Sequence, residues 1–99
     1  MKELLQKLAQ TPGASGYESA IRDVIREEIK PYVKEIKVDA LGNLIARMGE
    51  KSENGMRIMV AAHMDEIGVM ANHVEKNGMV RFSNLGFVIP RYLPGSRVK

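Results

Sequence analysis

The pattern of apolar positions in the first thirty residues predicts two amphipathic helices. Leu4, Leu5 and Leu8 recur at helical spacing, so a first helix is expected over about residues 2–10. After a break that contains proline and glycine, a second apolar stripe is formed by Tyr17, Ala20, Ile21, Val24, Ile25 and Ile29. Ser15 and Glu18 have the spacing of a capping box, which predicts that the second helix starts at this serine. Pro31 is expected to end or kink the helix.

Three segments with strand-like patterns follow the helices. Residues 33–39 alternate imperfectly between apolar and polar, and residues 43–48 form a second strand after a turn. In that turn, Gly42 and Asn43 are both able to take a positive φ. Residues 56–62 are apolar at nearly every position, which favours an interior strand that is covered on both faces.

The character of the chain changes after Gly68. Two further strands are predicted around a turn at Asn77-Gly78, a strong hairpin signal, and a second turn is predicted at Pro94-Gly95. Val98-Lys99 has the pattern of the first residues of another strand, and residues 49–55 form a polar loop. The chain is therefore expected to combine helices and strands, with α/β as the expected class.

Composition limits the classes of function. A chain of 99 residues with 44% hydrophobic and 27% charged residues is typical of one small globular domain. No apolar run reaches 18 residues, so no membrane span is predicted. Cysteine is absent, which excludes a disulfide framework and favours a cytoplasmic location. The net charge is +3 without a basic stripe, and aromatic residues make up only 5%, so nucleic-acid binding is disfavoured.

The residues with the strongest chemical potential lie where the apolar strand ends. In an extended segment His63 and Asp65 point to the same side, and Met64 and Glu66 point to the other. Both of the first two could ligate a metal, or Asp65 could hold the ring N–H while the other nitrogen binds the metal. Alternatively Asp65 could orient the imidazole as a general base. A hydrogen-bonded histidine at a strand boundary is the purely structural reading.

Two other features carry weaker chemistry. His73 lies within the predicted hairpin and has no acidic partner at metal-ligand spacing. Asp65 and Glu66 are adjacent and point to opposite faces, so they do not suit two-carboxylate hydrolysis of one glycosidic bond.

Four sequence motifs together resemble a known family. In order along the chain they are "TPGASGYE", "VDALGNLIA", "VAAHMDEIG" and "LPGSRV". They are similar to the N-terminal part of the glutamyl or deblocking aminopeptidases, also described as cellulase-M-like, which assemble into tetrahedral (TET) dodecamers. Some relatives are labelled endoglucanases. The resemblance covers essentially the whole chain.

The resemblance implies a zinc-peptidase-like α/β sandwich that carries two zinc or cobalt ions bridged by water or hydroxide. His63 matches the family's first metal-binding histidine, and Asp65 matches the aspartate that supports this imidazole near the catalytic centre. Residues 1–67 would belong to the catalytic domain, with two helices and then three strands. Residues 68–99 would begin an inserted β-rich dimerisation domain. Peptides are the implied substrates, and a homo-oligomer is the implied assembly.

The family's other metal ligands and its general base lie well downstream in relatives, so the chain is expected to be an N-terminal piece of such an enzyme. One histidine cannot hold two metals, so the isolated chain is expected to lack peptidase activity and need not bind either ion. Two alternatives remain at this stage. One is a small non-catalytic α/β module for assembly, and the other is a basic surface that binds nucleic acid.

Overall fold

Two α-helices, two short 3₁₀ helices and two antiparallel hairpins make up the regular structure of the described residues. The computed structural model describes residues 1–50 and 53–98. Its α-helices are α1 (Lys2–Gln10) and α2 (Ser19–Ile29), and its 3₁₀ helices cover Lys30–Tyr32 and Pro90–Tyr92. Its strands are β1 (Glu35–Val38), β2 (Leu44–Arg47), β3 (Gly68–Val74) and β4 (Val80–Leu85). Strand β1 pairs with β2 and β3 pairs with β4, which gives two separate two-stranded sheets in the described ranges. The α/β class predicted from the sequence is confirmed.

The first helix lies where the leucine spacing predicts it, but the predicted start of the second helix is wrong. Helix α2 begins at Ser19, four residues after the predicted cap. The Glu18 carboxylate accepts a hydrogen bond from the Gly16 amide (2.6 Å), whereas the Ser15 hydroxyl donates to a carboxylate 50 residues away in the sequence. The serine therefore has a tertiary partner, and no side chain caps this helix start. Helix α2 ends at Ile29, before the proline, as predicted.

The β1–β2 hairpin is closed by a turn built around one aspartate. Asp39 accepts hydrogen bonds from the amides of Leu41 (3.0 Å) and Asn43 (2.9 Å), and from the Asn43 side chain (2.8 Å). These bonds hold the pKa of Asp39 below its ordinary value, with the Asn43 side chain as the largest cause. Gly42 has a φ of +87°, and among the described residues no non-glycine residue has a positive φ, so Asn43 does not use the conformation that is open to it. Asn43 stabilises the turn by donating hydrogen bonds to the Asp39 carboxylate.

The β3–β4 hairpin confirms the Asn77-Gly78 turn signal. The Gly78 amide donates to the Glu75 carbonyl (2.9 Å), and Gly78 takes a φ of +86°, a conformation that costs glycine little. The predicted turn at Pro94-Gly95 is also present, because the Ser96 amide donates to the Leu93 carbonyl (2.9 Å). His73 faces Arg81 across this sheet.

The interior strand predicted over residues 56–62 is wrong. The structure assigns no strand there and gives this segment no pairing partner in the described ranges. Ile58 is 81% exposed and Val60 is 90% exposed. A strand that is apolar at every position needs cover on both faces, and the described part of the chain supplies none. Lys51 and Ser52 of the polar loop, and Lys99 of the predicted last strand, lie outside the described residues.

The molecule is elongated, which differs from the single compact core expected from its length. Its extents are 64 × 31 × 21 Å and its radius of gyration is 18.2 Å, compared with about 13 Å for a compact domain of 100 residues. Its accessible surface is 9126 Å², compared with about 5,600 Å² for a compact monomer of this mass. The buried apolar core among the described residues consists of Ile21. No helix in the described ranges is long and apolar enough to cross a bilayer.

Candidate metal-binding site

The segment that carries the candidate residues is held by the loop between the two helices. The Glu66 amide donates to the Gly13 carbonyl (2.9 Å), and the Gly13 amide donates to the Glu66 carboxylate (3.2 Å). Ala14 and Glu66 thereby form a parallel bridge. Residues 13–15, named here the clamp loop, therefore fix the backbone immediately after the histidine.

The clamp loop is itself fixed by close packing on helix α2. A Cβ atom at Gly13 would lie 2.6 Å from Cγ2 of Ile21, a distance that real Cβ atoms essentially never show. Ile21 is 5% exposed. Only glycine lets the loop backbone approach the helix this closely, so the position of the clamp loop is set by the buried side chain of Ile21.

Asp65 has a separate partner for each of its carboxylate oxygens. Oδ2 accepts a hydrogen bond from the Ser15 hydroxyl (2.5 Å), and Oδ1 lies 3.2 Å from Nδ1 of His63. Nδ1 also lies 3.0 Å from the Asp65 carbonyl oxygen. The Ser15 hydrogen bond is the largest cause that holds the pKa of Asp65 below its ordinary value, and the His63 ring adds to it. Asp65 is therefore a carboxylate at neutral pH.

His63 presents its other ring nitrogen to solvent. The His63 side chain is 87% exposed, and within residues 1–50 and 53–98 no hydrogen bond occupies Nε2. With two acceptors at Nδ1, the proton is expected to lie on Nδ1 and the Nε2 lone pair to point outward. A carboxylate behind the ring and a free Nε2 in front is the usual environment of a metal-binding histidine. Because Asp65 Oδ1 lies against the ring of His63 and Oδ2 against the Ser15 hydroxyl, the geometry favours the ring-holding role over direct metal ligation.

Several other ligands would be needed to complete a metal site. Across the described ranges no group of three histidine, cysteine, aspartate or glutamate side chains could hold a metal ion. His73 lies on β3 and belongs to no such group in the described ranges. The described residues thus fit part of a metal site, with His63 as one ligand and Asp65 as the carboxylate that supports its ring. The ligand role of His63 and the catalytic role of Asp65 stay predictions.

Ser15 contacts the candidate site, and sequence reasoning missed this contact. Its spacing to Glu18 satisfied a local rule for a helix cap, and that rule explained the serine without any distant partner. No periodicity connects positions 15 and 65, which are 50 residues apart. Only the tertiary contact of the clamp loop with the segment after His63 shows that the hydroxyl belongs to the candidate site.

Comparison with known proteins places the chain in a family of aminopeptidases. The family model described as M42 glutamyl aminopeptidase matches residues 42–99. A candidate aminopeptidase of Acetivibrio thermocellus is 52% identical over all 99 residues, which is 29% of its length. The chain belongs to the M42 glutamyl aminopeptidase family, and the predicted class of metallo-aminopeptidase is confirmed at the level of the family.

Solved structures agree with this assignment. A Thermotoga maritima protein titled endoglucanase has a TM-score of 0.82 at 43% identity, with 92% of this chain and 29% of that one covered. A TET aminopeptidase from a marine sediment archaeon of the Thaumarchaeota has a TM-score of 0.76 at 32% identity, with 87% and 23% covered. The chain therefore spans less than a third of the length of the relatives it matches.

Proposed function

We propose that this chain contributes the first metal ligand to an aminopeptidase that removes N-terminal residues from peptides. His63 is the ligand through Nε2, and Asp65 is the residue near the catalytic centre that keeps the Nδ1 proton in place. The observation that carries the proposal is the pairing of His63 Nδ1 with Asp65 Oδ1 (3.2 Å), while Nε2 remains open to solvent. Membership of an aminopeptidase family supports it independently.

Two divalent ions, zinc or cobalt, are the cofactors of this proposal. When bound, they would polarise the scissile carbonyl and supply an activated water. The chain's own part is to hold one imidazole at a fixed angle and in one tautomer. Because one histidine cannot hold two ions, we propose that the 99 residues alone have no peptidase activity.

The remaining parts of the proposal concern the domains, the assembly and the location. Residues 1–67 are proposed to belong to a catalytic domain and residues 68–99 to begin an inserted β-rich domain for dimerisation. Similarity to a TET aminopeptidase supports a homo-oligomer, with a dodecamer as the expected form. The cysteine-free composition supports a cytoplasmic location. The family match does not favour the alternative of a non-catalytic assembly module.

A transplant experiment tests the enzymatic proposal. Residues 1–99 replace the matching segment of the Thermotoga maritima protein, and hydrolysis of aminoacyl nitroanilides and of carboxymethylcellulose is measured with zinc or cobalt added. We expect aminopeptidase activity without cellulase activity. His63→Ala should lower it on the order of 100-fold or more, since loss of a supporting residue alone costs about 10–100-fold.

The control is His73→Ala, which removes the other histidine of the chain from strand β3 and should leave the activity within about two-fold of the parent, as is usual for surface changes away from a site. An active chimera whose turnover is equally insensitive to both substitutions contradicts the proposal. Cellulose hydrolysis that depends on Asp65 would replace it with a glycosidase function.

A further inference from the structure

We propose that Ser15 is a positioning residue of the metal site: its hydroxyl fixes the Asp65 carboxylate so that His63 keeps Nε2 free for a metal ion. The inference rests on the proposed function for its metal-binding consequence. Its geometric part, the control of the ring by a serine of the clamp loop, stands on the contacts of these three residues alone.

The carboxylate of Asp65 needs a second partner to hold one orientation. The side chain can rotate about its terminal torsion, which has a broad energy profile. A single contact with Nδ1 of His63 at 3.2 Å would leave that rotation weakly restrained. The Ser15 hydroxyl binds the other oxygen at 2.5 Å, a distance typical of a strong O–H···O⁻ hydrogen bond. With both oxygens held, the face of the carboxylate that meets the ring is fixed.

The Ser15 hydroxyl can hold the Asp65 carboxylate in one orientation because the clamp loop is fixed on two sides. One side is the reciprocal pairing of Gly13 with Glu66, and the other is the close approach of Gly13 to Ile21. A side chain on a freely moving loop would lose more rotational freedom when it formed the same bond. Through the Ser15 hydroxyl, the packing of the clamp loop on helix α2 therefore restrains the carboxylate of Asp65.

Fixing the carboxylate also selects the tautomer of the ring. An isolated neutral imidazole favours the proton on Nε2, which would block this nitrogen as a metal ligand. The acceptors at Nδ1, the Asp65 carboxylate and carbonyl, draw the proton to that nitrogen. Loss of the Ser15 hydroxyl lets the carboxylate turn away and leaves the Asp65 carbonyl of these two acceptors, so part of the population shifts its proton back toward Nε2.

The test measures the tautomer of His63 in the 99-residue chain without metal. Long-range ¹H–¹⁵N correlation spectra at a pH where the ring is neutral report which nitrogen carries the proton. We expect the parent chain to hold the proton on Nδ1 and Ser15→Ala to move the ratio toward Nε2–H. Ser15→Thr keeps the hydroxyl and should restore the parent ratio.

The matched control is Ser83→Ala, which removes a hydroxyl that accepts a hydrogen bond from Asn72 (2.5 Å) within the β3–β4 hairpin. The control separates loss of the Ser15 contact from general loosening of the fold. A His63 tautomer ratio that is the same in Ser15→Ala and Ser83→Ala overturns the assignment, and so does a Ser15→Thr variant that behaves as the alanine variant does.

Zinc titration of the metal-free chimera with the Thermotoga maritima protein, carrying the same substitutions, tests the link to the proposed function, because the chimera supplies the ligands that the 99 residues lack. Ser15→Ala should weaken zinc binding by about 3- to 10-fold, below the roughly 10–100-fold that direct supporting residues give. Ser83→Ala should match the parent chimera. Zinc binding that is unchanged by His63→Ala contradicts the proposed function, and the tautomer ratio then still decides the role of Ser15.

Discussion

The segments before and after His63 are both rich in apolar residues, yet only the second of them pairs as a β-strand in the described part of the chain. Residues 56–62 have no strand partner in the described part of the chain, whereas Gly68–Val74 pairs with Val80–Leu85. Burial does not explain the difference, because Phe82 of the hairpin is also 48% exposed. The difference lies in backbone pairing: the hairpin finds its partner across a five-residue connection, and the earlier segment needs a partner that is distant in sequence.

The candidate site therefore lies between the unpaired residues 56–62 and the paired β3–β4 hairpin. His63 follows the unpaired segment, and the hydrogen bonds found for it in the described ranges run to Asp65 on its C-terminal side, which the clamp loop holds. The rigidity of the imidazole therefore comes from the contact of the clamp loop with helix α2. Substitutions in that contact should affect the site, and substitutions in residues 56–62 should affect it little in the isolated chain.

The largest expected effect comes from Ile21→Ala, compared with Ile58→Ala as its matched control. Ile21 is 5% exposed and supports the clamp loop, whereas Ile58 is 81% exposed. The first substitution should lower the free energy of unfolding by about 2–5 kcal/mol, as buried Ile→Ala changes do. The second should change it by less than about 0.5 kcal/mol. Urea denaturation measures both values.

Equal losses in the two variants would contradict the comparison. They would mean that the segment before His63 is packed in solution as tightly as helix α2, so that the predicted interior strand forms there after all.

The sequence predicted what depends on neighbouring residues. Helix α1, both hairpin turns and the proximity of His63 to Asp65 follow from spacings of a few residues. Prediction from the sequence failed where the local structure depends on partners that are distant along the chain. The apolar run over residues 56–62 predicted an interior strand, but such a run specifies only that cover is needed and not where the cover is. In the same way, Ser15 satisfied a local capping rule while its real partner lies 50 residues further along.

The next effect in size is expected at Gly13, where a methyl group would overlap the Ile21 side chain. Gly13→Ala places a Cβ atom 2.6 Å from Cγ2 of Ile21. It should cost about 1–3 kcal/mol, the range for overpacking. Ile21→Leu removes the methyl at that branch, so the double variant should recover part of the loss. A double-mutant cycle measured by urea denaturation gives the coupling energy.

Strictly additive effects in this cycle would show that the clamp loop is not in tight van der Waals contact with Ile21. The loop would then owe its position to the Glu66 pairing alone.

The smallest effect is expected from acid at the β1–β2 turn, which is the most local structure in the molecule. The pKa of Asp39 is lowered from 3.8 by hydrogen bonds to its carboxylate, the largest from the Asn43 side chain. The charged form is therefore favoured in the folded turn. Its stabilisation is fully present above pH 3.8 and is lost as the pH falls through the lower pKa of the folded state.

Because this carboxylate is exposed, the loss should loosen the turn without unfolding helix α2. The amide resonances of Leu41 and Asn43, followed from pH 6 to pH 2, should shift and exchange faster while those of helix α2 persist. Asp39→Asn should remove this acid transition, and Asp23→Asn, an equal change of charge on helix α2, should keep it. If the transition persists in Asp39→Asn, another group governs the turn, and the aspartate is not what closes the first hairpin.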